Sequence, residues 1–230
     1  MLAVSSDWRL ELTDGGSKYP GSAGADCLWL ASTSPRREAL LRQLDVRFEL
    51  CAVSVDESPL GQEAPNDYVR RVASSKLADG VARLLDDGVG DGWVLAADTA
   101  VVADDALLGK PVNRDHALAM LAALSGRSHI VLSGVALGRL DSAATAPSAA
   151  AREPMIAISE SRVWFRRLGA QERERYWATG EPEGKAGAYA IQGLGAAFVE
   201  RIEGSYTGIV GLPLFETAQL LRHAGIRVGV

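Results

Sequence analysis

The chain has 230 residues, with 24 Lys+Arg against 29 Asp+Glu and a formal net charge of −5. A composition of 47% hydrophobic and 23% charged residues is that of a globular chain with a real core, and it excludes wholesale disorder. The acid excess argues against a general nucleic-acid binder, and no apolar run approaches the roughly 18–20 residues of a membrane helix, but a local basic pocket for a small anion stays open.

Residues 1–25 begin MLAVSSDWRL, without the basic and apolar regions of a signal peptide, and continue through the Gly/Ser/Asp-rich ELTDGGSKYPGSAGAD. They read as a flexible extension ahead of a single α/β domain over 26–230, in a cytoplasmic protein. Cys27 and Cys51 have no metal-ligand spacing and read as free thiols. CLWLA (27–31) is a short strand, and Pro35 to Leu44 a helix with Leu40, Leu41 and Leu44 on one side. Asp67 to Leu85 is a longer helix. WVLAADTAVVAD (93–104) is near-continuously apolar, as in a strand buried on both faces. Asp104-Asp105 is a hairpin turn. Asp115 to Leu124 is a helix. HIVLSGVALGRL and MIAISESRVWFRRL form a long hairpin around a mobile Ala/Ser loop at 141–153. Ala170 to Thr179 is helical, AYAIQG and AAFVERI are strands, and Pro213 starts a last helix. Strands alternating with helices, then pairing among themselves, predict an α/β fold with a mixed sheet.

Five segments carry chemistry. In LASTSPRREALL (30–41), Ser34 is placed as N-cap and Pro35 at the first helical position. Arg36 and Arg37 then fall at the helix pole that is already positive. Free N–H groups, serine hydroxyls and two guanidinium forks make a phosphate site there; two solvated arginines are the plainer alternative. Lys76 lies on the apolar stripe of its helix, four residues after Val72, and either snorkels past the core edge or reaches into a cleft. Asp98 and Thr99 interrupt the apolar strand. A carboxylate there is either a structural partner of a buried arginine, or a metal ligand, a general base, or both. LLGKP (107–111) holds Lys110 on a stiff loop, and SVDES (54–58) supplies Glu57; each is weak alone. TGEPEGKAGAYAIQGLGAAFV (179–199) crowds Gly180, Gly184, Gly187, Gly193 and Gly195 around Lys185 and Gln192. Gln192, at a strand end, could read both the donor and acceptor edges of a base; a twisted, bulged sheet would use the same glycines. Three of the only four lysines (Lys18, Lys76, Lys110 and Lys185) therefore sit inside these motifs. No Walker or dinucleotide glycine fingerprint is present.

Together with YVRRVASSK, AMLAALSGRSHIVLSGVAL and GSYTGIVGLPL, these segments resemble the Maf family of nucleotide pyrophosphatases, in the family's order and over about residues 28–223. The resemblance implies a two-lobed Maf/ITPase-like fold with a mixed β-sheet flanked by helices and a central cleft, commonly a homodimer. It implies hydrolysis of a nucleoside triphosphate to the monophosphate and diphosphate with Mg²⁺ or Mn²⁺. The family's essential positions fall on Glu57, Lys76, Asp98 and Lys110, with Ser34, Arg36 and Arg37 at the phosphate loop. Glu57 and Asp98 are the implied metal ligands. Arg37, Thr99 and Gln192 match the subgroup that prefers dTTP and UTP, and Lys185 is a further phosphate contact. The competing readings are 7-methyl-GTP as substrate and a non-catalytic nucleotide sensor linked to septum formation and cell division. No nucleic-acid or membrane partner is expected.

Overall fold

The computed structural model describes residues 27–141 and 154–229. The extension expected over 1–25 and all but Asp141 of the expected Ala/Ser loop lie outside the described residues. In chain order, β1 (Leu28–Ala31) leads directly into α1 (Pro35–Arg42), then β2 (Glu49–Cys51) and α2 (Pro65–Asp86). β3 (Gly92–Ala103) turns into β4 (Ala106–Leu108) and is followed by α3 (Arg114–Leu124). The long strands β5 (Ser128–Leu140) and β6 (Met155–Phe165) precede α4 (Ala170–Trp177). β7 (Val199–Glu203), α5 (Tyr206–Val210) and α6 (Leu214–His223) complete the fold.

One seven-stranded sheet runs β2-β1-β3-β5-β6-β7, with β4 on the free part of β3. β1 is parallel to both β2 and β3, and the β3, β5, β6 and β7 pairs are antiparallel. The expected α/β class and mixed sheet are both present. The turn at Asp104 and Asp105 has φ of 49° and 62°, the positive pair that matches a two-residue hairpin to strand twist.

Side chains of β3 alternate between two cores, as a period of two requires. Val94 and Ala96 pack with Ala73, Leu77, Val81 and Leu84 of α2. Leu95, Ala97 and Val101 pack on the opposite face with Leu40 and Leu41 of α1, Leu121 of α3 and Leu221 of α6. Full burial of each such leucine is worth about 1.5–3 kcal/mol. α2 lies close on the sheet because Gly134 has no side chain: a Cβ there would meet the Val69 carbonyl at 2.8 Å. Lys76 and Asp98 are thereby placed on facing surfaces of the same interface.

The Gly-rich segment departs from expectation. AYAIQG forms no strand; a 3₁₀ turn spans Ala186–Ala188, and residues 189–193 are irregular. The alternation of Ala188, Tyr189, Ala190 and Ile191 imitates a strand, but positive φ at Gly187 (66°), Ala188 (58°) and Gly193 (139°) breaks the extended run. A second 3₁₀ turn, Leu194–Phe198, delays the expected AAFVERI strand to Val199.

His129 is a buried residue of β5, 2.8 Å from the Tyr189 hydroxyl and edge-on to Phe165. Burial pushes its pKa down to about 4. Unfolded histidine titrates near 6.5, so on acidification the unfolded chain takes up this proton first. Stability is then expected to fall as pH drops from about 6.5 to about 4, by up to about 3 kcal/mol, and this loss levels off below that window. Denaturant titrations across the window should show this decline for the wild type and a smaller one for His129→Leu.

Candidate active site

The register of the sheet makes an opening. β1 accompanies β3 from Trp93 only as far as Ala96, and β4 joins the same edge at Val101. Between these pairings the β3 edge is uncovered over residues 97–100, which include Asp98 and Thr99. Beside the gap, the chain leaves the carboxyl end of β1 through Ser32-Thr33-Ser34 into α1. Such carboxyl ends are where open α/β sheets place ligands. A cleft of about 930 Å³ opens here, lined by all ten residues singled out in the sequence. Ser34, Arg36 and Arg37 contribute from the start of α1; Glu57 comes from the loop after β2 and Lys76 from α2. Asp98 and Thr99 lie on β3, Lys110 follows β4, and Lys185 and Gln192 belong to the Gly-rich segment.

Asp98 and Thr99 are neighbours but point to opposite faces of the strand. Asp98 is buried and faces α2, where the Lys76 Nζ donates to its Oδ1 at 2.8 Å. The same ammonium lies 2.7 Å from Glu57 Oε1, and Lys110 Nζ is 2.6 Å from Glu57 Oε2. Lys76 is only 7% exposed, so it reaches into the cleft and does not snorkel outward. Burial raises the Glu57 pKa, but hydrogen bonds from Lys110 and Lys76 outweigh it and hold the carboxyl at about 2. Asp98 Oδ2 is buried with no hydrogen-bond partner. An unpartnered, buried carboxylate oxygen is costly and fits a cation or a proton donor. Among the described residues, no three His, Cys, Asp or Glu side chains come together as a metal site. A hard divalent ion at Asp98 and Glu57 would therefore draw its other ligands from water and phosphate oxygens, as Mg²⁺ sites commonly do.

Thr99 faces the other way. Its Oγ1 is 2.8 Å from Ser133 Oγ, and Ser133 donates onward to the Gly208 carbonyl at 2.7 Å. Arg37 Nε donates to the Gly211 carbonyl at 2.9 Å, which brings the guanidinium alongside Thr99. Ser34 occupies the N-cap position with Pro35 at the first turn, as expected, but its hydroxyl makes no capping bond. Arg36, Arg37 and Lys185 have no carboxylate partner within ion-pair distance among the described residues. Burial lowers the pKa of Arg36 and Arg37, and it lowers that of Lys185 with help from the Arg36 charge. Desolvated cations without counter-ions are costly until an anion joins them. The plainer alternative of solvated surface arginines does not describe this helix start.

Tyr68 and Ser133 went unnoticed in the sequence. Tyr68 lines the cleft and donates to the Glu57 backbone carbonyl at 2.9 Å; burial, then the Asp98 and Glu57 charges, push its pKa up to about 12. It lies two helical steps of four before Lys76, through Val72, so periodicity could have found it. Ser133 carries no sequence signal beyond being polar in an apolar strand.

A family model described as Maf-like protein matches residues 27–224. The chain belongs to the Maf family. Among curated relatives, the dTTP/UTP pyrophosphatase of Methylococcus capsulatus is 51% identical over 199 residues, covering 86% of this chain and 91% of that protein. That of Nitrosospira multiformis is 46% identical over 209 residues, covering 87% and 96%. That of Burkholderia lata is 49% identical over 205 residues, covering 86% and 93%. The Maf match spans both sides of the cleft, from β1 to the end of α6.

Proposed function

We propose that this Maf-family protein is a nucleoside triphosphate pyrophosphatase that hydrolyses dTTP and UTP to the monophosphate and diphosphate. The observation that carries this reading is the uncovered stretch of β3, with the Asp98 carboxylate facing Lys76 and Glu57 on one side and unpaired cations lining the rest of the cleft. The names of the relatives supply the substrate class.

In the proposed reaction a water oxygen attacks the α-phosphorus, its proton passes to Asp98, and the bond to the β-phosphate oxygen breaks. Arg36, Lys185 and the N–H groups at the start of α1 take the triphosphate tail, with Ser34 beside them. Lys76 and Lys110 neutralise charge that builds on the leaving diphosphate. Arg37, Thr99 and Gln192 contact the pyrimidine or its sugar. A divalent ion, Mg²⁺ or Mn²⁺, would be held by Asp98 and Glu57 and would add charge neutralisation on the phosphates. The resemblance further supports a homodimer. The excess of acid disfavours nucleic-acid partners, and no described helix is long and apolar enough to cross a membrane.

Release of diphosphate from dTTP, UTP, CTP and 7-methyl-GTP, each with Mg²⁺ and with Mn²⁺, tests the reading. dTTP and UTP should be turned over at least about tenfold faster than 7-methyl-GTP, a margin of about 1.4 kcal/mol in the barrier. The reverse ranking would replace the pyrimidine assignment, and tight binding without turnover would replace the enzyme with a sensor.

A further inference from the structure

Gln192 is an exposed member of the cleft lining. It sits in an irregular segment with a glycine directly after it, and it makes no hydrogen bond among the described residues. A free Gly-rich segment would lose considerable backbone entropy on fixing an amide against a ligand. The surroundings of Glu181 remove that freedom beforehand. Glu181 Oε1 accepts from the Tyr176 hydroxyl at 2.7 Å and from the Gly195 N–H at 2.9 Å, while Oε2 accepts from the Leu194 N–H at 2.9 Å. Tyr176 Oη in turn accepts from the Ala190 N–H at 3.1 Å. The segment is thus gripped two residues before Gln192 and again two and three residues after it. The grip leaves no room at the glycines: a Cβ on Gly195 would lie 2.5 Å from the Ala190 carbonyl and 2.6 Å from Tyr176 Oη, and one on Gly193 would strike the Glu181 carboxylate. Tyr176 is itself fixed, buried and edge-on to Phe198 with ring centroids 4.7 Å apart.

We infer that Glu181 and Tyr176 are positioning residues that hold Gln192 at the substrate, so that the pair sets affinity and base selectivity without touching the nucleotide. The inference rests on the pyrophosphatase reading for its kinetic consequences, but the grip itself can be measured without any substrate. Tyr176→Phe keeps the ring against Phe198 and removes only the hydroxyl. Glu181→Gln keeps the shape and turns one acceptor oxygen into a donor that faces N–H groups. In both variants, amide hydrogen exchange at Ala190, Leu194 and Gly195 should accelerate, with exchange in the β3–β5 core unchanged. Unchanged exchange at these three amides overturns the inference whatever the enzyme acts on.

The kinetic arm uses a double-mutant cycle. Tyr176→Phe and Gln192→Ala should each raise KM for dTTP about tenfold with kcat within about threefold, and each should narrow the preference for dTTP over 7-methyl-GTP. Combined, they should be no worse than Gln192→Ala alone. Effects that multiply, or a fall in kcat at constant KM, would mean that Tyr176 acts through the fold and not through Gln192, and the inference fails. If the wild type turns over none of the nucleotides, the pyrophosphatase reading fails, and the exchange result alone decides whether the grip exists.

Discussion

Asp98→Asn should lower turnover of dTTP by about three orders of magnitude or more while leaving the protein folded and able to bind nucleotide. The side chains are isosteric, and asparagine Oδ1 can still accept from Lys76, so the packing of α2 on β3 survives. What disappears is a base and a negative charge. General-base removal alone costs about 10²–10⁴-fold in rate, and weakened hold on a divalent ion adds to it. The loss should fall on kcat, because the residues proposed to grip the phosphates and the pyrimidine lie elsewhere in the cleft. Turnover assays beside calorimetric titration of nucleotide would separate the two. Near-normal turnover in Asp98→Asn would remove Asp98 from the reaction.

Lys76→Met should damage both stability and activity. The lysine is buried and its ammonium is shared by Asp98 and Glu57, at 2.8 and 2.7 Å. Methionine can fill the path of the stem through the helix–sheet interface but leaves two carboxylates without their common partner. Breaking a buried pair from one side costs about 3–5 kcal/mol. Glu57 keeps Lys110, and its carboxyl is partly exposed, so the lower end of that range is expected. The sign with pH is fixed: without Lys76 the Glu57 carboxyl becomes easier to protonate, so the deficit relative to wild type should shrink as pH falls. Activity should fall about 10²–10³-fold, as for loss of one preorganised charge at a reacting phosphate. Denaturant midpoints at two pH values, with turnover at neutral pH, would check both parts. A variant as stable as wild type at neutral pH would show that the lysine is not the partner holding these carboxylates in place.

The parts of the site legible in the sequence are those written in short-range patterns. LASTSPRREALL states a strand, a turn and a helix start within twelve residues, and Asp98 stands out because everything around it is apolar. Lys76 could be placed on the apolar stripe of its helix, yet its direction depended on which strand α2 covers. Spacing alone left that open. Register was equally hidden: nothing local says that β1 stops opposite Ala96 and that β4, running the other way, ends opposite Val101, though this offset creates the cleft. The segment after Gly187 reads as a strand because its apolar run looks extended, whereas its backbone N–H groups bond to Tyr176 and Glu181 in an irregular course. Ser133 is found only through the partner it meets.

The bond between Arg37 and the Gly211 carbonyl joins positions 174 residues apart in the chain. Such a bond can form only after the chain between its ends has folded back on itself, at an entropy cost that grows slowly with length. The pocket is therefore complete only once the Gly211 segment has docked on α1 and β3. A partly folded chain with β1, α1 and α2 already in place would carry the phosphate-binding helix start yet lack the wall behind Arg37 and Thr99. Recovery of turnover after refolding thus reports docking of the Gly211 segment, and the enzyme stays silent until then.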